Sequence, residues 1–191
     1  GIADLVYKIL KTWREKAITR KRGCRISVAT AYFVPKPFTP FQWEAQISPE
    51  EYTRRQRLLK EHMPAKSVDH KWHESSLSRL EAVLARGDRR LGAVLEHAVL
   101  HGAKLDGWDE YFRYDLWLDA FQACGIDPDF YTRERREDEL LPWDTIDVGV
   151  KKQFLQKERK AAYASTITPD CRTQCTGCGA NLLYPEGPCD A

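Results

Sequence analysis

The sequence feature that most constrains the fold is a short, nearly uncharged run between two helical segments. Residues 24–34 read CRISVATAYFV, and Gly23 and Pro35 bound this run. Its β-branched and small residues predict a strand that is buried on both faces, as in a parallel sheet. Apolar residues at helical spacing predict a helix over residues 2–18 before it. A helix, a buried strand and a further helix in this order indicate a βα-repeat fold.

The segment that follows the predicted strand combines a rigid loop with a well-marked helix start. Three prolines within residues 35–40 fix the backbone without closing it into a helix. In βα-repeat folds, loops at the carboxyl ends of the strands build the active sites. Ser48, Pro49 and Glu51 then have the spacing of a capping box with proline at the first helical position, which predicts a helix from residue 49.

The remaining chain is predicted to be almost entirely helical. Residues 67–73 carry a weak edge-strand pattern, and the tail from Thr168 lacks periodicity. Helices are predicted at about residues 75–86, 88–102, 109–124 and 145–163. The expected fold class is therefore mostly α, with one or two strands and six helices.

Composition narrows the classes of function. Lys and Arg total 30 against 28 Asp and Glu, a balance that argues against a dedicated nucleic-acid binder, although nucleic acid stays open as a partner. No run of 18 apolar residues occurs, so no membrane-spanning helix is expected. The start of the chain lacks the pattern of a secretory signal and an initiator Met. We therefore expect a cytoplasmic fragment of a longer chain.

Four cysteines near the end of the chain point to a metal. Cys171, Cys175 and Cys178 have C-x3-C-x2-C spacing, and Cys189 can return through a turn as a fourth ligand. Without an export signal, metal binding is favoured over disulfides. The spacing fits an iron–sulfur cluster, and the C-x2-C-G segment at residues 175–179 equally fits a zinc knuckle. Iron, zinc and disulfides all remain open on these residues.

A second cluster of special residues lies in the segment LARGDRRL. Arg86, Asp88, Arg89 and Arg90 are interpreted as helix caps and surface ion pairs, with binding of an anionic group as the alternative. His97 and His101 lie one helical turn apart but lack the Glu of a zinc-protease helix, so a histidine metal site is not expected.

Several segments together resemble a known protein family. They are ISVATAYFVPKPFTPFQW, LEAVLARGDRRLGAVL, LDGWDEYF, LPWDTIDVGVKKQFL and TPDCRTQCTGCG. With them the chain, over residues 2–179, resembles the C-terminal half of a bacterial family of radical S-adenosylmethionine proteins. That family carries an N-terminal cobalamin-binding-like domain. The resemblance therefore implies S-adenosylmethionine, a [4Fe-4S] cluster and cobalamin as cofactors of the full-length protein.

The resemblance also implies an organisation for the chain. Residues 1–66 correspond to the end of a partial (βα)6 barrel, with residues 25–34 as its sixth strand. Residues 67–165 form a family-specific helical extension, and residues 166–191 a Cys-rich tail. In such barrels the sixth strand approaches the adenosine of S-adenosylmethionine. The matching positions here are Ser27, Val28, Ala29 and Tyr32.

The catalytic cluster of such enzymes is not expected in this chain. In the family its motif follows the first barrel strand, a part with no counterpart here, and an aromatic residue usually precedes its third Cys where this tail has Gly177. The chain is thus expected to be a fragment of an oxidoreductase of unknown substrate that is inert without its N-terminal remainder. Its tail would hold an accessory metal through Cys171, Cys175, Cys178 and Cys189. The alternatives are a zinc-knuckle module that binds RNA or a partner protein, and a purely structural helical domain.

Overall fold

A computed structural model describes residues 1–18, 23–64 and 66–180. The elements in chain order are α1 (Ile2–Lys16), β1 (Ile26–Thr30), α2 (Pro49–His62), β2 (Val68–Trp72), α3 (Ser75–Arg86), α4 (Leu91–Leu100), α5 (Tyr114–Ala123), α6 (Asp129–Thr132) and α7 (Lys152–Tyr163). The mostly helical fold class with two strands is confirmed. The chain divides into a first unit, Gly1–Phe33 with Ile47–Ser78, and a second unit, Val34–Gln46 with the chain from Arg79 onward.

The first unit is built around a small parallel sheet. Its strands β1 and β2 pair in parallel, with Ile26 opposite Val68 and Thr30 opposite Trp72. Val6 and Leu10 of α1 and Met63 after α2 form a buried cluster with half-buried side chains of both strands. Helical residues thus cover one face of the sheet.

The other face of this sheet is exposed. Ser27 and Ala29 of β1 and Asp69 and Lys71 of β2 alternate with the half-buried positions of their strands. The prediction of a strand at this place is confirmed, but the prediction that it is buried on both faces is wrong for the described chain. The physical reason is that the helices of the unit pack on one side, so side chains of alternate residues face solvent.

The start of α2 forms half of the predicted capping box. Ser48 Oγ accepts a hydrogen bond from the Glu51 amide at 3.2 Å, and Pro49 occupies the first turn. The Glu51 carboxylate accepts instead from Arg54 and Arg55, each at 2.6 Å. Hydrogen bonds from these guanidinium groups hold the pKa of Glu51 at about 2, well below its ordinary value.

The second unit has two apolar clusters. The larger one joins α3, α4, α5 and α6, and its buried members are Leu80, Val83, Leu91, Val94, Ala98, Ala103, Trp117, Ala120, Phe121 and Tyr131. The smaller one joins the Pro-rich loop to α7 and to the segment before it through Trp43, Leu141, Trp143 and Leu155. The Pro-rich loop is therefore ordered by packing within this unit.

Helices α5 and α7 begin five and seven residues later than the sequence predicts. Before α5, the amides of Trp108 and Tyr111 close successive tight turns, and Leu105 has a positive φ of 57°. Before α7, the Asp147 carboxylate accepts from the Gly149 amide at 2.7 Å, and Gly149 has a φ of 74°. These turns keep residues 109–113 and 145–151 out of the helices. The amides of Tyr111, Ile146 and Gly149 bond to acceptors two or three residues back, whereas a helix requires four. The four-residue α6 was not predicted.

Within the part of the chain that the structure describes, no helix has the length and apolar character needed to cross a lipid bilayer.

Candidate metal centre and cofactor-binding strand

The Cys-rich tail begins with a reversal at the end of α7. Ser165 has a φ of 54°, and the Thr166 amide donates to the Ala161 carbonyl at 2.8 Å. The Thr168 hydroxyl then donates to Glu158 at 2.6 Å. These bonds attach residues 165–168 to the last turns of the helix.

A turn organised by Asp170 carries the first cysteine. The Asp170 carboxylate accepts from the Arg172 amide at 2.9 Å, and its carbonyl accepts from the Thr173 amide at 2.8 Å. The Arg172 guanidinium also donates to this carboxylate and lowers the pKa of Asp170. Cys171 lies within this turn, and it is exposed.

The third cysteine lies in a knuckle-like turn. Gly177 and Gly179 have φ values of 74° and 101°, which glycine adopts without steric cost. The Ala180 amide donates to Cys178 Sγ at 3.4 Å. This hydrogen bond fixes the direction of the Cys178 side chain within the turn.

This turn is attached to the segment before α7. The Lys151 amide donates to the Cys178 carbonyl at 2.9 Å. Gly179 is buried, and a Cβ placed on it would lie 2.8 Å from the Gly149 carbonyl oxygen. Only glycine fits there without displacing backbone, so Cys178 is held at a defined place against the start of α7.

Three of the four predicted metal ligands lie in the described part of the chain. Cys175 and Cys178 are half-buried, and Cys189 lies outside the described residues. Among the described residues, no three His, Cys, Asp or Glu side chains are grouped as a metal site would require. The five cysteines at positions 24 to 178 are unpaired thiols. The turn at Cys178 suits a thiolate ligand, and the metal site as a whole stays a prediction.

The four positions assigned to S-adenosylmethionine do not share one surface. Ser27 and Ala29 lie on the exposed sheet face, whereas Val28 is half-buried on the helical side. Tyr32 is 2% exposed, its ring stacks on Tyr52 with centroids 4.2 Å apart, and its hydroxyl donates to the Ile47 carbonyl. The structure thus brings Ser27 and Ala29 together beside Asp69 and Lys71. Tyr32 instead joins the end of the strand to α2.

The interpretation of Arg86 as a surface residue is wrong, because its side chain is buried. It is 0% exposed, and its guanidinium donates to the Glu44 carbonyl at 2.6 Å and to the Arg133 carbonyl at 2.9 Å. Burial lowers the pKa of Arg86 to about 10. By contrast Asp88 and Arg90 do form an ion pair, at 2.7 Å.

The sequence carries a signal for the burial of Arg86. It follows Leu80 and Val83 at intervals of three residues, so it continues the apolar stripe of α3. Arg135, 3% exposed, was not singled out from the sequence; it donates to the Arg86 carbonyl at 2.9 Å, and its guanidinium lies 5.3 Å from the centre of the Trp143 ring. Both arginines therefore tie loops of the second unit together.

Comparisons with protein-family models, with curated proteins and with solved structures found no match to this chain.

Proposed function

We propose that this chain is the C-terminal part of a radical S-adenosylmethionine iron–sulfur oxidoreductase, whose N-terminal remainder supplies the catalytic cluster. The observation that carries the proposal is the parallel β1–α2–β2 unit, which has helices on one face and an exposed opposite face. Parallel sheets in proteins are normally covered on both faces, and two strands alone are marginally stable. Such a unit is suited to be the end of a larger sheet.

The exposed face has the character expected of a barrel interior. In a βα barrel the helices pack outside and alternate strand residues point inward. Here α1 and α2 would be outer helices, and Ser27 and Ala29 would point inward. Their small side chains leave room for a ligand to approach the strand backbone, which is how the resemblance places the adenosine of S-adenosylmethionine.

A second apolar face on α1 supports the same arrangement. Val6 and Leu10 are buried, but Leu5 and Ile9 on another side of the helix are 58% and 42% exposed. With Trp13 they line an open groove along the helix. A helix that is apolar on two sides is normally buried between neighbours. We assign the N-terminal remainder of the polypeptide as the neighbour that covers this groove.

In the full-length enzyme, a catalytic cluster held by the N-terminal remainder would act on S-adenosylmethionine and supply radical chemistry, and the family's N-terminal domain would add cobalamin. The tail of this chain would bind an accessory [4Fe-4S] cluster through Cys171, Cys175, Cys178 and Cys189. The hydrogen bonds from the amides of Ala180 and Lys151 fix the position of Cys178, which supports this role. The substrate is not assigned.

A zinc-knuckle module that binds RNA or a partner protein is the second candidate. The turn at residues 177–180 favours it, because two glycines with positive φ and an amide donating to a cysteine sulfur suit a closed tetrahedral zinc site as well as an iron site. The two candidates differ in the bound metal and in the need for an N-terminal remainder.

S-adenosylmethionine cleavage tests the first candidate. The chain joined to its natural N-terminal remainder is incubated anaerobically with S-adenosylmethionine and dithionite, and 5′-deoxyadenosine is measured. We expect product from the joined protein and none from residues 1–191 alone. A remainder without a second C-x3-C-x2-C motif, or a joined protein that forms no 5′-deoxyadenosine, would refute the proposal.

Metal analysis of the anaerobically purified chain separates iron from zinc. A brown protein with about four irons and matching sulfide supports the accessory cluster. One colourless zinc supports the second candidate. The triple variant Cys171→Ala, Cys175→Ala and Cys178→Ala should lose the metal, and Cys124→Ala is the matched control because it removes a half-buried thiol elsewhere in the same unit. Unchanged metal in the triple variant would exclude the tail as the site.

A further inference from the structure

A pocket of about 270 Å³ lies within the second unit, between the Pro-rich loop and the segment before α7. Phe38 and Gln42 line it from the loop, and Trp143, Ile146, Val148 and Val150 from the segment. The pocket contains none of the residues that the proposed function uses. Apolar side chains thus form most of its wall, as in sites for small organic molecules.

The orientation of Gln42 is fixed by two hydrogen bonds. Its side-chain oxygen accepts from the Phe38 amide at 3.0 Å and from the indole nitrogen of Trp143 at 2.7 Å. Both partners are donors, so the oxygen of the side-chain amide must face them. The NH₂ group has no hydrogen-bond partner among the described residues, although Gln42 is only 2% exposed. It therefore offers two unused donors in the lining of the pocket.

The charges around the pocket favour a neutral ligand. Lys152 is the cation of the lining, and its ammonium group donates to the Asp144 carboxylate at 2.9 Å. Asp147, whose carboxylate accepts from the Gly149 amide, adds a further negative charge. A carboxylate ligand would be repelled, because Asp144 neutralises Lys152 and the lining as a whole is negative. A carbonyl oxygen can accept from Gln42 without that repulsion.

The loop that carries Gln42 is held in a strained shape. Phe38 has a φ of 58°, in the left-handed region that bulky residues avoid, and its amide is the one bonded by Gln42. Strain of this kind persists only where the surroundings impose it, and it concentrates at binding sites. The pocket wall is thus organised before a ligand arrives, which lowers the entropic cost of binding.

We propose that this pocket binds a small neutral molecule with an aromatic or branched apolar body and a carbonyl oxygen that accepts hydrogen bonds from the Gln42 NH₂ group. The apolar body contacts Phe38, Trp143 and Val150. The inference does not depend on the function proposed above, since the pocket shares no residue with the tail cysteines or with the exposed sheet face.

Titrations of the full chain followed by ¹H–¹⁵N NMR test this proposal with three probes of similar size. Phenylacetamide has the apolar body and a neutral carbonyl, ethylbenzene lacks the acceptor, and phenylacetate is charged. We expect phenylacetamide to shift the Gln42 NH₂ and Trp143 indole signals and to bind about tenfold more tightly than ethylbenzene, as one buried hydrogen bond allows. Phenylacetate should bind more weakly than phenylacetamide.

Gln42→Glu is the matched variant. It keeps an oxygen acceptor for Phe38 and Trp143 but replaces the NH₂ donor by a second acceptor. We expect it to weaken phenylacetamide binding about tenfold and to leave ethylbenzene binding unchanged. A retained Trp143 indole signal would show that the loop is intact. In the unaltered chain, equal affinity for phenylacetamide and ethylbenzene, or no shift of the Gln42 and Trp143 signals by any probe, would overturn the proposal whatever the variant does.

Discussion

The two units of this chain differ in the size of their apolar cores. In the described part of the first unit, the core cluster contains three buried residues, Val6, Leu10 and Met63, under a two-stranded sheet. The second unit has clusters of ten and four buried residues, and buried arginines hold its loops. Burial of apolar surface is the main favourable term in folding. The second unit therefore has the larger apolar core, and the sheet of the first unit has helical cover on one face only.

The largest effect on stability is expected at Arg86, which joins loops of the second unit. Arg86→Ala removes two hydrogen bonds to backbone carbonyls and leaves a cavity, so we expect the free energy of unfolding to fall by about 3 kcal/mol. Chemical denaturation measures it. Arg54→Ala, which removes an exposed ion-pairing arginine of the first unit, should leave stability nearly unchanged because solvent screens exposed ion pairs. Equal effects of the two substitutions would mean that Arg86 does not hold the loops.

A smaller and more local effect is expected in the tail. Gly179→Ala would place a Cβ 2.8 Å from the Gly149 carbonyl at a positive φ, which should cost about 2 kcal/mol of local stability. Hydrogen exchange should speed up at the Lys151 amide, which donates to Cys178. Gly107→Ala is the control, since a Cβ there meets nothing within 4 Å. Unchanged exchange at Lys151 would contradict the close approach at Gly179.

The acid dependence of the second unit is expected to depend in part on Asp88. Hydrogen bonds from Arg90 lower the pKa of Asp88 to about 2 from an ordinary 3.8. Its contribution is therefore fully present above about pH 4 and is lost as the pH falls toward 2. Because the pair is partly exposed, we expect about 1 kcal/mol from it. Denaturation of the unaltered chain and of Asp88→Asn between pH 2 and 6 should converge at the acid end, and parallel curves would exclude this role.

The smallest effect on stability is expected on the exposed groove of α1. Leu5→Gln changes a side chain that is 58% exposed, so the denaturation midpoint of this chain should stay within about 0.5 kcal/mol of the unaltered value. Co-purification with the proposed N-terminal remainder, expressed separately, should nevertheless be weakened. The control is Lys11→Gln, an exposed polar position of the same helix. Undiminished association of the Leu5 variant would remove α1 from the proposed contact.

Local patterns predicted most elements of both units, and side-chain bonds to the backbone and packing between elements explain the rest. Hydrophobic periodicity and the Ser48 cap gave α1, α2 and α3 with bounds close to those observed. Periodicity could not show that Asp147 and Gly149 close a turn before α7, because side-chain bonds to the backbone compete with helix formation. Whether one or both faces of β1 are buried depends on the elements that pack beside it. The residues of the strand alone cannot predict those elements.

The candidate sites were also predicted only in part. The C-x2-C-G segment at residues 175–179 fitted a knuckle turn, and the structure has a tight turn there with positive φ at Gly177 and Gly179. The Gln42 pocket could not be predicted, because it depends on a contact with Trp143 across 101 positions of the chain. Arg86 was misread because arginine is rarely buried, even though its position continues an apolar stripe.

The two-stranded sheet has a practical consequence for handling the protein. Among the described residues, β1 pairs only with β2, so each strand has an outer edge whose amide and carbonyl groups are available for pairing. Such edges can template the addition of strands from other molecules. Asp69 and Lys71 place charges on β2, whereas β1 carries none between Ile26 and Thr30. At high concentration the isolated chain should therefore self-associate through β1 first. Ser27→Lys should reduce this association, which the turbidity of the solution measures.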